Sequence, residues 1–281
     1  MIDAAGFKQA SRAVWDAMAP GWGRLHAYLE ERSRPVTERM VERLAPRPGE
    51  AILELAAGTG VVGLTVAPLV GPQGKVIVSD FSTEMVELAG ALARSLGLDN
   101  VQTRVLDAER LDMASASVDG VMCRWGYMLM REPQLAVAET RRVLRARGRL
   151  SCAVFGNPAA NPWAALPARV LAELGHLTPQ PGAPGILALA DLDGLRRLLA
   201  EGGLGEIEID EVPFTWRFAD MDDYWSFLID AAGAIAMVLR RLPEDELAAV
   251  RTEIAKRVVS TFGGSNFELP ALSLVASATA R

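Results

Sequence analysis

The residues whose types and spacing most clearly suggest chemistry lie in the run Glu54-Leu-Ala-Ala-Gly-Thr-Gly60. An apolar stretch ending at Leu55 turns through Ala56, Gly58 and Gly60, and a helical pattern begins near Val61. Glycines at the carboxyl end of a strand let a ligand approach the backbone closely. Read literally, Gly58-Thr-Gly-Val-Val-Gly63 is also a G-x-G-x-x-G dinucleotide fingerprint, with Asp80 placed like a ribose-binding acid. That spelling keeps an NAD(P)-dependent oxidoreductase open as an alternative. Three features favour a different ligand. Glu54 sits at the strand end just before the glycines, and an acid facing that turn suits a cationic sulfonium and ammonium better than a pyrophosphate. Asp107-Ala108 follows the third strand, where a carboxylate can accept from an adenine amino group. No second nucleotide-binding half follows residue 156.

These residues need a frame. From about residue 50 to 155, short β-branched runs alternate with helical patterns, the order that builds a doubly wound α/β sheet. The expected strands are Ala51–Leu55, Lys75–Asp80, Val101–Leu106, Val118–Cys123 and Arg149–Phe155, then Glu206–Val212 and Glu268–Ala278. A helix over Thr83–Leu96 would be capped by Ser82 and would bury Met85, Leu88, Ala89, Leu92 and Leu96. Further helices are expected over Leu135–Leu144, Ala164–Leu174 and Leu192–Glu201. Residues 1–45 read as a helical N-terminal cover broken at Pro20 and Pro35. Residues 46–281 then form one domain with insertions at about 157–190, rich in Pro and including Pro179 and Pro181, and at 221–262, helical and split at Leu242-Pro-Glu244.

With these motifs in order, residues 48 to 155 resemble the class I S-adenosylmethionine (SAM)-dependent methyltransferases, particularly the ubiquinone/menaquinone-biosynthesis type. Glu54–Gly60 is similar to that family's glycine motif, although Ala57 stands where many members carry Cys or Gly. Val78-Ser-Asp80-Phe81-Ser82 is similar to its second-strand motif, Leu106-Asp107-Ala108 to its adenine motif, and Arg142–Gly148 to the segment before strand five. The resemblance implies SAM as cofactor, with Asp80 on the ribose hydroxyls, Phe81 against adenine and Asp107 on its amino group. It also implies a Rossmann-like sheet of seven strands whose last strand inserts antiparallel beside Arg149–Phe155. Trp15-Asp-Ala-Met-Ala-Pro-Gly-Trp22 resembles the family's short N-terminal motif that covers the cofactor. The segment Cys123–Met130 occupies the place where members contact the methionine end of SAM and begin the acceptor pocket.

Methyl transfer from a sulfonium is an in-line displacement that needs alignment and exclusion of water, with a base only for a protonated acceptor. His26, beside Trp22 and Tyr28, is the candidate base, and His176 is the other histidine. Arg124 could orient an anionic acceptor or the cofactor carboxylate. Trp22, Tyr127 and Trp163 are candidate acceptor contacts, with Tyr224, Trp225, Phe227 and Met237 supplying further apolar surface. Each aromatic has core packing as its plainer fate.

Composition narrows the class. The chain has 281 residues, half of them hydrophobic and 23% charged, which suits a folded globule. A net charge of −6, without a dense cationic run, argues against a nucleic-acid partner. Two cysteines, Cys123 and Cys152, each in an apolar run, argue against a disulfide framework, and no metal-ligand spacing occurs. No membrane-length apolar run or signal segment is present, so a cytoplasmic enzyme is expected. The expected activity is methyl transfer to an O, C or N nucleophile of a small, apolar or aromatic acceptor. A SAM-binding module without catalysis is the further alternative.

Overall fold

A computed structural model describes residues 4–178 and 183–281, so Pro179 and Pro181 lie outside the described residues. Five strands run parallel: β1 (Ala51–Glu54), β2 (Lys75–Asp80), β3 (Val101–Val105), β4 (Val118–Arg124) and β5 (Leu144–Phe155). They are joined by β6 (Leu204–Asp220) and β7 (Ser265–Ala280) in a seven-stranded sheet of order β3-β2-β1-β4-β5-β7-β6. As the resemblance implies, β7 lies antiparallel to β5, between it and β6. This order disfavours the dinucleotide alternative, because two parallel mononucleotide halves would place another parallel strand where the antiparallel β6/β7 pair closes the sheet. The order reverses between β1 and β4, and their carboxyl ends diverge into the crevice where open α/β sheets bind ligands.

The central strands are buried on both faces, hence their nearly continuous apolar runs. Helix α3 (Val61–Val70) packs on β2, and α4 (Thr83–Ser95) packs on β2 and β3. Ser82 caps α4 by accepting the Met85 amide at 3.2 Å. The buried face of α4 is Met85, Val86, Ala89, Gly90 and Ala93, while Leu96 is 61% exposed, a correction to the expected stripe. The smaller residues let α4 sit close to the sheet, with Gly90 against Thr103.

The N-terminal helices differ from expectation in their break. Helix α1 (Ala4–Arg24) contains Pro20, and α2 (His26–Leu44) contains Pro35, with the interruption at Leu25 alone. An interior proline forfeits a backbone bond. Here tertiary packing compensates, since α2 buries Leu29, Val36, Met40 and Leu44 and packs on β5, β6 and β7. Helix α1 packs on α4 and on α8 (Met221–Ala231). The remaining helices are α5 (Pro133–Val143), α6 (Pro162–Glu173), α7 (Leu192–Glu201), α9 (Ala234–Leu239) and α10 (Glu244–Phe262), so the 221–262 segment breaks at Gly233 as well as before Glu244.

The largest departure is β6, which continues eight residues past Val212 to Asp220. Pro213 sits within it opposite Leu272, tolerated because β6 is an edge strand. The β6/β7 ladder thereby runs beyond the Phe155–Ser273 pair that ends the pairing with β5. Along the overhang Val212, Phe214, Trp216 and Phe218 are buried while Pro213 and Arg217 are exposed. This overhang of the pair becomes a wall.

Gly63, in the first turn of α3, tests the frame. A Cβ there would meet the Glu54 Oε2 at 2.6 Å and Val78 Cγ2 at 2.7 Å. Gly63→Ala is expected to lower unfolding free energy by about 1–3 kcal/mol, as core overpacking does, measured as a shifted denaturant midpoint at unchanged slope.

Candidate functional site

The loops after β1 and β4 meet at the switch point. Ala56 (φ +49°) and Trp125 (φ +59°) both adopt left-handed backbone, and a Cβ on Gly126 would lie 2.6 Å from that of Ala56. For non-glycine residues such conformations cost of order 1–3 kcal/mol each and persist only where neighbours impose them. The Trp125 amide is held by the Ala153 carbonyl at 2.7 Å, and the Ala57 amide by the Ser79 carbonyl at 2.9 Å. Above these loops opens a cavity of about 150 Å³ that is open to solvent at its mouth.

One end of the cavity is polar at its edges. Asp80 is buried at the tip of β2 and accepts the Gly58 amide on Oδ2 and the Ser82 amide on Oδ1, each at 2.9 Å. Burial raises its pKa against the pull of these amides. Each carboxylate oxygen keeps a lone pair, and the residue lines the cavity with Ala56, Gly58 and Phe81. Asp107 and Ala108 line the same end. The Asp107 Oδ1 accepts the Glu109 amide at 2.9 Å, and its Oδ2 takes the Lys8 ammonium at 2.6 Å, which also reaches Glu109. Trp22 lies over Gly58, 3.3 Å from where a Cβ would be. The Ser82 hydroxyl donates to Asp16 at 2.6 Å. Helix α1 thus roofs this end through Lys8, Asp16 and Trp22.

Two residues of the glycine motif fall elsewhere. Glu54 does not line the cavity: it is 1% exposed beneath the loop, and its Oε2 accepts the Gly63 amide at 2.8 Å. The acid therefore faces the first turn of α3, where backbone amides and helix dipole favour a negative charge. Burial nevertheless pushes its carboxyl up to about 7, opposed by that amide and by the Arg124 charge. Gly60 is likewise absent from the lining and packs against Val78 and Ala89.

The other end is aromatic. Trp125 stacks on Phe155 at 4.6 Å, Phe155 meets Trp163 edge-on at 5.0 Å, and Trp163 meets Trp216 at 5.7 Å. Phe227 lies 5.0 Å from Trp216. Arg124 enters here, its Nη1 donating to Ser33 Oγ at 2.7 Å and Thr37 Oγ1 at 2.8 Å of α2, its guanidinium 4.9 Å from the Trp125 ring. Burial lowers its pKa to about 10.

Of the sequence candidates, the cavity brings together Trp22, Ala56, Gly58, Asp80, Phe81, Asp107, Ala108, Arg124 and Trp163. Tyr127 is corrected to a core residue, its hydroxyl 2.6 Å from Thr140 Oγ1. His26 also lies outside the lining: its Nε2 is 3.8 Å from Glu30 on the same helix, and burial lowers its pKa. A base at the reacting atoms would need to reach the cavity. His176 pairs with Glu246 of α10 at 3.4 Å. Phe227 is the one lining residue among the aromatic and Met candidates of the 221–262 segment. Sequence reasoning missed Lys8, Phe155 and Trp216. Trp216 had a signal in the alternation Val212-Pro-Phe214-Thr-Trp216-Arg-Phe218, which Pro213 masked; Lys8 had none. Among the described residues no three His, Cys, Asp or Glu side chains could hold a metal ion.

Residues 52–148 match the family model described as a methyltransferase domain. Nocamycin O-methyltransferase of Saccharothrix syringae is 30% identical over 174 residues, 62% of this chain and 62% of that protein. A ubiquinone/menaquinone biosynthesis C-methyltransferase of Caulobacter sp. (strain K31) is 28% identical over 166 residues, 56% of this chain and 65% of that protein. The chain thus spans less than two thirds of these curated relatives. Among solved structures, the YcgJ protein from Bacillus subtilis superposes with a TM-score of 0.61 at 18% identity, covering 87% of this chain and 97% of that one, a likeness of fold.

Glu54 gives a pH signature. Its carboxyl ionises near 7 when folded against 4.5 ordinarily, so the folded chain holds the proton longer. Its contribution to stability is full below the lower value and falls as pH rises through this window, by at most about 1.4 kcal/mol per pH unit crossed. In chemical denaturation, the stability difference between the chain and its Glu54→Gln variant is expected to change with that sign across the window. A difference constant with pH would refute the assignment.

Proposed function

We propose that the chain, whose residues 52–148 match a methyltransferase domain, is a class I SAM-dependent methyltransferase that transfers the SAM methyl group to an O, C or N nucleophile of a small, apolar or aromatic acceptor. The observation that carries this is the pairing, in one cavity, of a carboxylate-edged end with an aromatic end. The chain's residues fit the cofactor: Asp80 retains lone pairs for two ribose hydroxyls, Phe81 offers an apolar face for a purine, and Asp107 with Ala108 borders its edge. Ala56 and Gly58 would receive the methionine half. Bound there, SAM supplies an electrophilic methyl on a sulfonium.

What the chain itself must do is align and exclude water. Trp125, Phe155, Trp163 and Trp216 present flat apolar faces that favour a planar acceptor and disfavour hydration. Glu54 and Gly60 are read as supports of the loop. Residues 1–45 are read as a cover of which α1 supplies the roof, with the rest of the chain as one domain carrying the two insertions. No described helix is long and apolar enough to cross a membrane. That, with the net charge of −6, supports a cytoplasmic enzyme for small molecules over one acting on nucleic acid.

Isothermal calorimetry with S-adenosylhomocysteine (SAH) is expected to show saturable binding that Asp80→Ala weakens at least about tenfold, the scale of hydrogen bonds to a charged group. Binding of NAD(P) without SAH binding would overturn the proposal. Transfer of label from SAM to an aromatic acceptor panel tests the catalytic part.

A further inference from the structure

The aromatic end of the cavity contains a buried N–H donor without a partner and a guanidinium without a contacting counter-ion among the described residues. Trp216 is 1% exposed and lines the cavity, yet its indole Nε1 has no hydrogen-bond partner among the described residues. Its neighbours are satisfied: Trp125 Nε1 donates to Ser273 Oγ at 2.9 Å and Trp163 Nε1 to Asn161 Oδ1 at 3.2 Å. Leaving a buried N–H unmade costs about 1–3 kcal/mol, a condition that Trp216 shares with Trp22 Nε1 and Arg131 Nε of the lining and that sets it apart from Trp125 and Trp163 within the aromatic cluster.

The second donor is Arg124. Its Nη1 is satisfied by two neutral hydroxyls, and among the described residues no carboxylate comes within ion-pair distance. Glu54 and Glu30 act on it only at longer range. A largely buried guanidinium without a contacting counter-ion is costly. Its five N–H groups form a rigid fork suited to an oxyanion, and hydrogen bonds remain to be made beyond those of Nη1. The titratable residues lining the cavity are otherwise Lys8, Asp80, Asp107, Glu109 and Arg131. The carboxylates among them belong to the β2 and β3 loops or lie under Lys8. Neither histidine lines the cavity, so among the described residues the aromatic end holds no titratable proton acceptor.

We propose that the acceptor is a planar, conjugated molecule bound as an oxyanion, with Arg124 as its counter-cation, the Trp216 Nε1–H as a donor to it, and the Trp125, Phe155 and Trp163 rings as its bed. The acceptor's acidic group loses its proton to solvent before binding, which removes the need for a base in the site. The proposal rests on the methyltransferase assignment only in calling this ligand the acceptor.

The test is calorimetric titration of the chain, with and without saturating SAH, by three probes: para-nitrophenol above its own pKa, benzoate, and the neutral ether para-nitroanisole. SAH carries a neutral sulfur, so any preference for anions then comes from the protein. At least one of the anions is expected to bind about tenfold or more tightly than the ether, on the scale of charge-assisted hydrogen bonds. The two anions distinguish a phenolate or enolate from a carboxylate. Trp216→Phe, which removes the N–H while keeping an aromatic face, is expected to reduce that preference several-fold, and Arg124→Met to abolish it, with SAH affinity and the melting transition reported alongside. Equal affinity for ether and anions, no saturable binding of either anion, or a preference that survives both substitutions would overturn the proposal. Failure of SAH to bind would instead overturn the methyltransferase assignment and leave the anion preference to be read from the SAH-free titration.

Discussion

A carboxylate stripped of water must be held by fixed dipoles, and Glu54 is held by the first turn of α3, whose Gly63 amide it accepts at 2.8 Å. This bond fixes the angle at which the chain leaves β1 and re-enters a helix. Because Gly63 has no side chain, the acid fits between strand and helix. The loop between them is held further by the Ala57 amide on the Ser79 carbonyl and the Gly58 amide on Asp80. The cavity floor therefore rests in part on one buried acid that does not line the cavity.

The same residue shows how far the sequence could be read. That an acid precedes the glycines was legible, and so were the parallel strands, the cap at Ser82 and the acids at the ends of β2 and β3, because each is a local pattern with a local cause. The direction in which Glu54 points was not, since a strand-end side chain can turn toward ligand or helix, and only the packing of α3 decides. Tyr127 carries the same lesson: its place just after the fourth strand suited a pocket wall, but Thr140 on α5 supplied a buried partner for its hydroxyl.

Long-range partners were the least legible. Lys8 meets Asp107 across 99 positions of chain, and Arg124 finds its hydroxyl partners 87 and 91 positions away on α2. No periodicity reports such pairs. The overhang of β6 and β7 stands between these cases. Its alternation was present in the sequence, and Pro213 read as a stop only because a proline ends an interior strand but not an outer one. Recognising Trp216 as a cavity residue required knowing that β6 is at the edge.

That edge has a consequence for how the chain behaves among its own copies. A strand of seventeen residues with one unpaired side is a template for adding further strands and so for aggregation. Beside it the sequence places Glu206, Glu208, Asp210 and Glu211, with Pro213 depriving the ladder of a donor. Arg43 of α2 binds Glu208 and Asp210, anchoring the helix to the same strand. With Glu208 and Asp210 taken up by that arginine, Pro213 and the helix packed against β6 are what interrupt a ladder along this edge. The strand that walls the cavity on one side is thus guarded on the other.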